Sequence, residues 1–153
     1  MSPQELMDLQ TDPPDGVSVS LANPDHMNEW RITIAGPAST PYSTGRFGVV
    51  ARLPAEYPFK APTVRFVTRI YHPNISNDSL GNVCLGLIRS ENWKPSLRMR
   101  TVIEALITLL VEPLPGEALE SAIGEEFRSD RARWEEKARE SVVKYASGEV
   151  VWT

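Results

Sequence analysis

The alternation of apolar and polar positions sorts most of this chain into elements. Residues 3–10 (PQELMDLQ) read as a short amphipathic helix, with Ser2 as N-cap, Pro3 in the first turn, and Leu6, Leu9 and Met7 facing a core. Asp12-Pro13-Pro14-Asp15-Gly16 ends it, because prolines forbid continuation and glycine closes the turn. From Val17 the period becomes two: Val17, Val19 and Leu21 alternate with serines. After a turn at Asn23-Pro24-Asp25-His26, where His26 reads as a solvated residue, the alternation resumes over 30–34, 46–53 and 63–67. Strands joined by short turns pair as an antiparallel meander.

Met99, Val102, Ile103, Leu106, Ile107 and Leu110 then recur at helical spacing, and Ala105, Leu109 and Val111 make the remaining faces apolar. A helix apolar nearly all round belongs at the centre of a fold. Glu112-Pro113-Leu114-Pro115-Gly116 stops it. A last helix from Asp130 to about Ala146 places Trp134, Ala138, Val142 and Tyr145 on one face, with a solvated face of charges opposite. The predicted fold class is therefore α/β (α+β): an N-terminal helix, a four-stranded antiparallel meander, a central buried helix and C-terminal helices.

Composition narrows what such a domain does. The 153 residues predict one domain, 1–153, and 41% apolar with 24% charged residues are globular values. No apolar run reaches a membrane span and no signal peptide pattern opens the chain, so neither a membrane nor secretion is expected. A net charge of −4 argues against nucleic acid as a partner. With one cysteine no internal disulfide can form, which suits a reducing compartment, cytoplasmic or nuclear. One cysteine and two histidines cannot build a cysteine-histidine zinc site, and no metal is expected.

The chemistry concentrates in residues 71–95, YHPNISNDSLGNVCLGLIRSENWKP. Cys84 follows a turn-rich segment and precedes Leu85, Leu87 and Ile88, so it is either an idle core thiol or a nucleophile displayed by a loop. Asn74, in a turn after Pro73, either ties that loop together or offers its amide to an oxyanion. Between the third and fourth strands, Glu56-Tyr57-Pro58-Phe59-Lys60-Ala61-Pro62 has two prolines that restrict the backbone. Phe59 there either caps the core or stands out as a fixed aromatic knob, the kind of residue a binding hot spot uses.

The order Tyr71-His72-Pro73-Asn74-Ile75, Gly81-Asn82-Val83-Cys84-Leu85 and Trp93-Lys94-Pro95 resembles the active-site region of ubiquitin-conjugating (E2) enzymes. Pro58-Phe59-Lys60 and Glu112-Pro113-Leu114-Pro115 extend the resemblance, which runs from about Glu5 to the last helix. It implies the UBC fold and acyl transfer. Cys84 would take ubiquitin from an activating enzyme (E1) as a thioester and pass it to a substrate lysine or a ligase cysteine. Asn74 would stabilise the oxyanion, and His72 would be structural. No cofactor is implied, since ATP is used upstream by the activating enzyme.

The same resemblance implies ligase (E3) docking at Phe59, Lys60, Trp93, Lys94, Pro95 and Ser96. Activating-enzyme docking falls at Gln4 and Lys60. The family carries basic residues on its first helix, and the matching register here falls on Met1 and Gln4, so the expectation is a shortened helix or a weaker contact. Where many members have an acidic residue after the central helix, this chain has Gly116-Glu117-Ala118-Leu119, making Glu117 the candidate to orient an incoming lysine or else an ordinary solvated glutamate.

Two further departures carry information. Gly86 stands where members commonly have an acidic residue, and Ser90-Glu91-Asn92-Trp93-Lys94-Pro95 most resembles the branch serving HECT and RBR ligases rather than RING ligases alone. Both point to transfer onto thiols more readily than onto lysine. The loop from Asn74 to Cys84 is about two residues longer than common, with the expectation that it alters how Asn74 reaches the thioester. The acidic net charge weakens any assignment to the SUMO branch. Two alternatives stand beside the main reading: a conjugating enzyme for another modifier such as NEDD8, and a catalytically silent binding module, against which Cys84 argues.

Overall fold

A computed structural model describes residues 3–152. Its elements run α1 (Pro3–Thr11), β1 (Val17–Leu21), β2 (Glu29–Ala35), β3 (Arg46–Arg52), β4 (Thr63–Phe66), α2 (Met99–Val111), α3 (Ser121–Ser129) and α4 (Arg131–Tyr145). The four strands form one antiparallel sheet in sequence order, β1-β2-β3-β4, as the meander predicts. Its register sets Val19 opposite Ile32 and Ile32 opposite Val49, so one face collects Val17, Val19, Trp30, Ile32, Ile34, Phe47, Val49 and Ala51, all buried. A one-residue slip would turn that whole set to water, which is what fixes the register.

The inner face shares a single apolar cluster with Leu6 and Leu9 of α1, with α2, and with Trp134, Ala138 and Val142 of α4. Glu5 fastens α1 to the start of α2: its carboxylate accepts from the Met99 backbone N–H at 2.9 Å and from the Tyr57 hydroxyl at 2.8 Å. An acceptor at a helix N-terminus satisfies one of the first-turn N–H groups that have no partner within the helix. At the C-terminal side, Asp130 caps α4 through the Arg133 N–H, and α3 and α4 are joined by the Lys137–Glu126 ion pair at 2.7 Å.

Several expectations are corrected. Met7 points outward, 58% exposed, because Leu6 and Leu9 already fill the space under α1. The central helix is not buried all round: Thr101, Glu104, Thr108 and Val111 form an exposed stripe, while Val102, Ile103, Leu106, Leu109 and Leu110 face the core. Tyr145 is also outside, where Arg69 meets its ring and hydroxyl, and Ala146 takes the buried position after Val142. The helix α3 was not resolved by the sequence pattern as an element of its own. Ser2, expected as the N-cap of α1, and the Met1 register lie outside the described residues.

The outer face of the sheet is partly covered by the chain's own end. A side chain on Gly48 would run into Val150, and Arg31 lies over the Trp152 ring at 5.2 Å.

Candidate active site

The segment from Tyr71 to Trp93 has little regular structure, and its shape comes from side chains holding backbone. His72 is fully buried; its Nδ1 accepts from the Asn74 N–H at 2.9 Å, so its Nε2–H donates to the Leu109 carbonyl at 2.8 Å. Burial pushes its pKa down to about 4 from 6.5, against the opposing pull of the Leu109 carbonyl. A neutral ring with both nitrogens bonded to backbone is a strut between the loop and α2, not a base.

Asn74 is fully buried and is used on every side. Its Nδ2 donates to the Leu114 carbonyl at 2.8 Å and the Glu117 carbonyl at 3.1 Å, while its Oδ1 accepts from the Leu114 N–H at 2.8 Å. Its own backbone carbonyl accepts from the Cys84 N–H at 2.8 Å. Both amide hydrogens of the side chain are thus engaged by carbonyls, which is the loop-tying arrangement. Donation to an oxyanion would require one of those bonds to open.

The long loop between these two residues does not separate them. An antiparallel bridge between Ile75 and Val83 closes its neck. Beyond the neck, Asp78 folds the extra residues on themselves by accepting from Leu80 N–H at 2.9 Å, Ser76 Oγ at 3.0 Å and Gly81 N–H at 3.3 Å. The Leu80 N–H, the largest of these influences, holds the Asp78 carboxyl below its usual range. Gly81 has φ +62 and its carbonyl accepts from Phe66 N–H, stitching the loop to the end of β4. The added Asn, Asp and Ser therefore build a turn closed by Asp78 and tied to Phe66 and Glu120, rather than moving Asn74 from Cys84.

Cys84 is half-buried and carries a free thiol. After it, a 3₁₀ turn over Gly86–Ile88 reverses the chain and returns Arg89 to the sulfur, Nη2 to Sγ 3.1 Å. Sequence reasoning missed Arg89, since nothing in a spacing of five announces a side chain that folds back. The sulfur, first, and then the charge of Glu117 hold the Arg89 guanidinium above its usual range. Glu117 itself is exposed, in a short 3₁₀ turn over Pro115–Glu117 whose carbonyl Asn74 grips. The segment is held again by Leu119 and Glu120 N–H groups donating to the Pro73 carbonyl. Cys84, Arg89, Asn74 and Glu117 are thus brought to one place from three separate stretches.

Away from the thiol, Phe59 is 77% exposed, carried on a loop in which the Phe59 N–H donates to Glu56 O. Trp93, expected within the ligase-docking set, does not itself stand at the surface. It is buried, packs against Tyr57 with ring centroids 6.1 Å apart and planes tilted by 41°, and donates from Nε1 to the Pro58 carbonyl at 2.7 Å, so it supports the Phe59 loop from beneath. Lys60, Lys94, Pro95 and Ser96 are exposed around it, as is Gln4 on α1. Among the described residues there is no group of three or more His, Cys, Asp or Glu placed to hold a metal, and no helix is long and apolar enough to cross a membrane.

This fold, with a half-buried thiol on a pinned loop beside a four-stranded meander, matches the family model for ubiquitin-conjugating enzymes over residues 2–142. The chain belongs to the ubiquitin-conjugating enzyme family and is an E2, a thioester-forming transferase whose partners are ubiquitin, an activating enzyme and ligases. It is similar to Ubiquitin-conjugating enzyme E2 14 of Schizosaccharomyces pombe, with 39% identity over 143 residues, covering 94% of this chain and 90% of that relative. Neither a role with another modifier nor a silent binding module finds support in these matches.

Proposed function

We propose that Cys84 is the residue that accepts ubiquitin, and that the loop around it is built to present its sulfur. The observation that carries this is the anchoring of the only cysteine: its N–H is bonded to the Asn74 carbonyl at 2.8 Å while its sulfur remains half-buried with a guanidinium against it. A core thiol would have apolar neighbours at the sulfur instead. In charging, the Cys84 thiolate attacks the carbonyl carbon of the thioester on the activating enzyme, and that enzyme's sulfur departs with the bonding pair. The test is a charging reaction with activating enzyme, ATP and ubiquitin. A thiol-sensitive band on a non-reducing gel that is lost in Cys84→Ala is the expected result; a band that survives the substitution refutes the assignment.

The ligase class is read from what surrounds the sulfur. Gly86 places no carboxylate on the turn after Cys84, and Glu117 is exposed and one methylene longer than aspartate. With little to orient a lysine amine, transfer to thiols is favoured, which suits HECT and RBR ligases. Charged enzyme mixed with free cysteine loses ubiquitin faster than with free lysine on this account, and equal loss to both refutes it. Phe59, with Lys60, Lys94, Pro95 and Ser96 around it, forms the ligase-docking surface, while Gln4 and Lys60 meet the activating enzyme. Asn74 serves mainly to hold the site, Glu117 is the group nearest in role to a lysine-orienting acid, no cofactor is needed beyond the ATP consumed upstream, and a free thiol suits the cytosol or nucleus.

A further inference from the structure

We propose that Arg89 is the charge partner of the Cys84 sulfur, pairing with the thiolate that attacks during charging and with the thiolate that leaves during transfer. The proposal rests on Cys84 being the acceptor and adds the residue that acts on its sulfur.

Three observations lead to it. The first is contact: Arg89 Nη2 donates to Sγ at 3.1 Å. The second is that the root of this exposed side chain is fixed on both sides. The Arg89 N–H donates to the Gly86 carbonyl at 3.2 Å, and its own carbonyl accepts from Asn92 and Trp93 N–H groups, both at 2.9 Å. Asn92 Nδ2 closes the same turn on the Gly86 carbonyl at 2.8 Å, and the buried Trp93 anchors its far end. A guanidinium on a clamped backbone returns to the same place with less entropy to lose than one on a free loop.

The third is the residue between them. A Cβ at position 86 would meet nothing closer than Asn92 Nδ2 at 4.0 Å, so the turn has room for a side chain and has none. A carboxylate there would compete with the sulfur for the guanidinium. Glycine leaves the sulfur as its hydrogen-bond partner, with Glu117 and Glu91 acting on Arg89 as more distant charges.

The chemistry gives this pairing a consequence for both half-reactions. In the charged enzyme the sulfur is acylated and carries no net charge. When an acceptor thiolate or amine attacks the carbonyl carbon, the carbon–sulfur bond breaks and its electron pair returns to Sγ; an amine's extra proton passes to solvent. A cation at Sγ gains more from the departing thiolate than from the thioester, and such a differential interaction is what accelerates a step. Run in the charging direction, the same cation stabilises the attacking thiolate before acylation.

The test uses Arg89→Gln and Arg89→Lys in the full chain. Iodoacetamide alkylation of uncharged enzyme near neutral pH should slow roughly two- to fivefold in Arg89→Gln, the size of an exposed charge pair. The difference should shrink at high salt, which screens an exposed charge pair. Discharge of charged enzyme to free cysteine should slow by a similar factor, and Arg89→Lys should recover part of both. Thermal melting should not change, because the side chain is exposed. Equal alkylation near neutral pH, a deficit unchanged at high salt, or a lysine variant no faster than glutamine each overturns the pairing. All three leave the acceptor assignment standing as long as the unaltered chain charges on Cys84. Absence of ubiquitin on Cys84 in the unaltered chain overturns that assignment instead.

Discussion

The backbone carbonyl of Asn74 accepts from the backbone N–H of Cys84 at 2.8 Å, across a loop whose intervening residues fold away as a turn of their own. The same asparagine grips Leu114 and Glu117 with its side chain, so one buried residue couples the thiol to the segment after α2.

That coupling predicts a large effect on stability as well as on transfer. Asn74→Ala removes three side-chain hydrogen bonds and leaves part-buried backbone groups of Leu114 and Glu117 without them, which costs about 3 kcal/mol. Asn74→Asp should be at least as damaging, since it sets a carboxylate against two carbonyls. Urea unfolding checks the first and discharge to free cysteine the consequence. A variant as stable as the parent would mean that the amide does not hold the loop.

His72 predicts the pH dependence. Its folded pKa of about 4 lies below its ordinary 6.5, so between these values the unfolded chain binds a proton that the folded chain does not. Stability from this group is complete above pH 6.5, falls as pH drops from 6.5 to 4, and levels off below that, a loss of at most ~3 kcal/mol. Denaturation midpoints across pH 7.5 to 4 should follow this course, and His72→Gln should flatten it.

Phe59 and Trp93 should separate docking from support. Phe59→Ala should leave stability within about 0.5 kcal/mol, as expected for an exposed site, while slowing ligase-stimulated discharge about tenfold or more. Trp93→Ala should destabilise by about 3 to 5 kcal/mol, since it empties buried space and orphans the Pro58 carbonyl. Melting curves and ligase assays on the pair decide this; two variants of equal stability would contradict the division.

Gly81 tests the closed turn. At φ +62 it occupies the left-handed region, and a Cβ there would collide with the Phe66 carbonyl. Gly81→Ala should cost at least about 1 to 2 kcal/mol from backbone strain alone, read in the same unfolding experiments. A substitution without effect would show that the turn is not pinned to β4.

The sheet was legible because each strand buries one face, and period-two alternation at Val17, Val19, Trp30, Ile32 and Ile34 records that directly. The helix α3 was not, because only Ile123, Gly124 and Phe127 are buried in it and glutamates and arginine dilute their spacing. Exposure of single residues was least legible. Met7 and Tyr145 sit at helix positions whose neighbours already fill the core, and Trp93 packs against Tyr57 and bonds to the Pro58 carbonyl, 35 positions away in sequence. At the site, Cys84 and Asn74 stood out through family-like motifs. Arg89 did not, because its approach to the sulfur depends on a 3₁₀ turn and on Asn92 and Trp93 closing it.

Whether ubiquitin is held on the Cys84 sulfur is decided by intact-mass measurement of Cys84→Ser after charging. An oxyester lacks the thiolate leaving group and resists thiol reagents. The serine variant should carry one added ubiquitin that persists under reducing conditions, against one that is lost from the unaltered chain. A thiol-sensitive adduct still forming on the serine variant would contradict it.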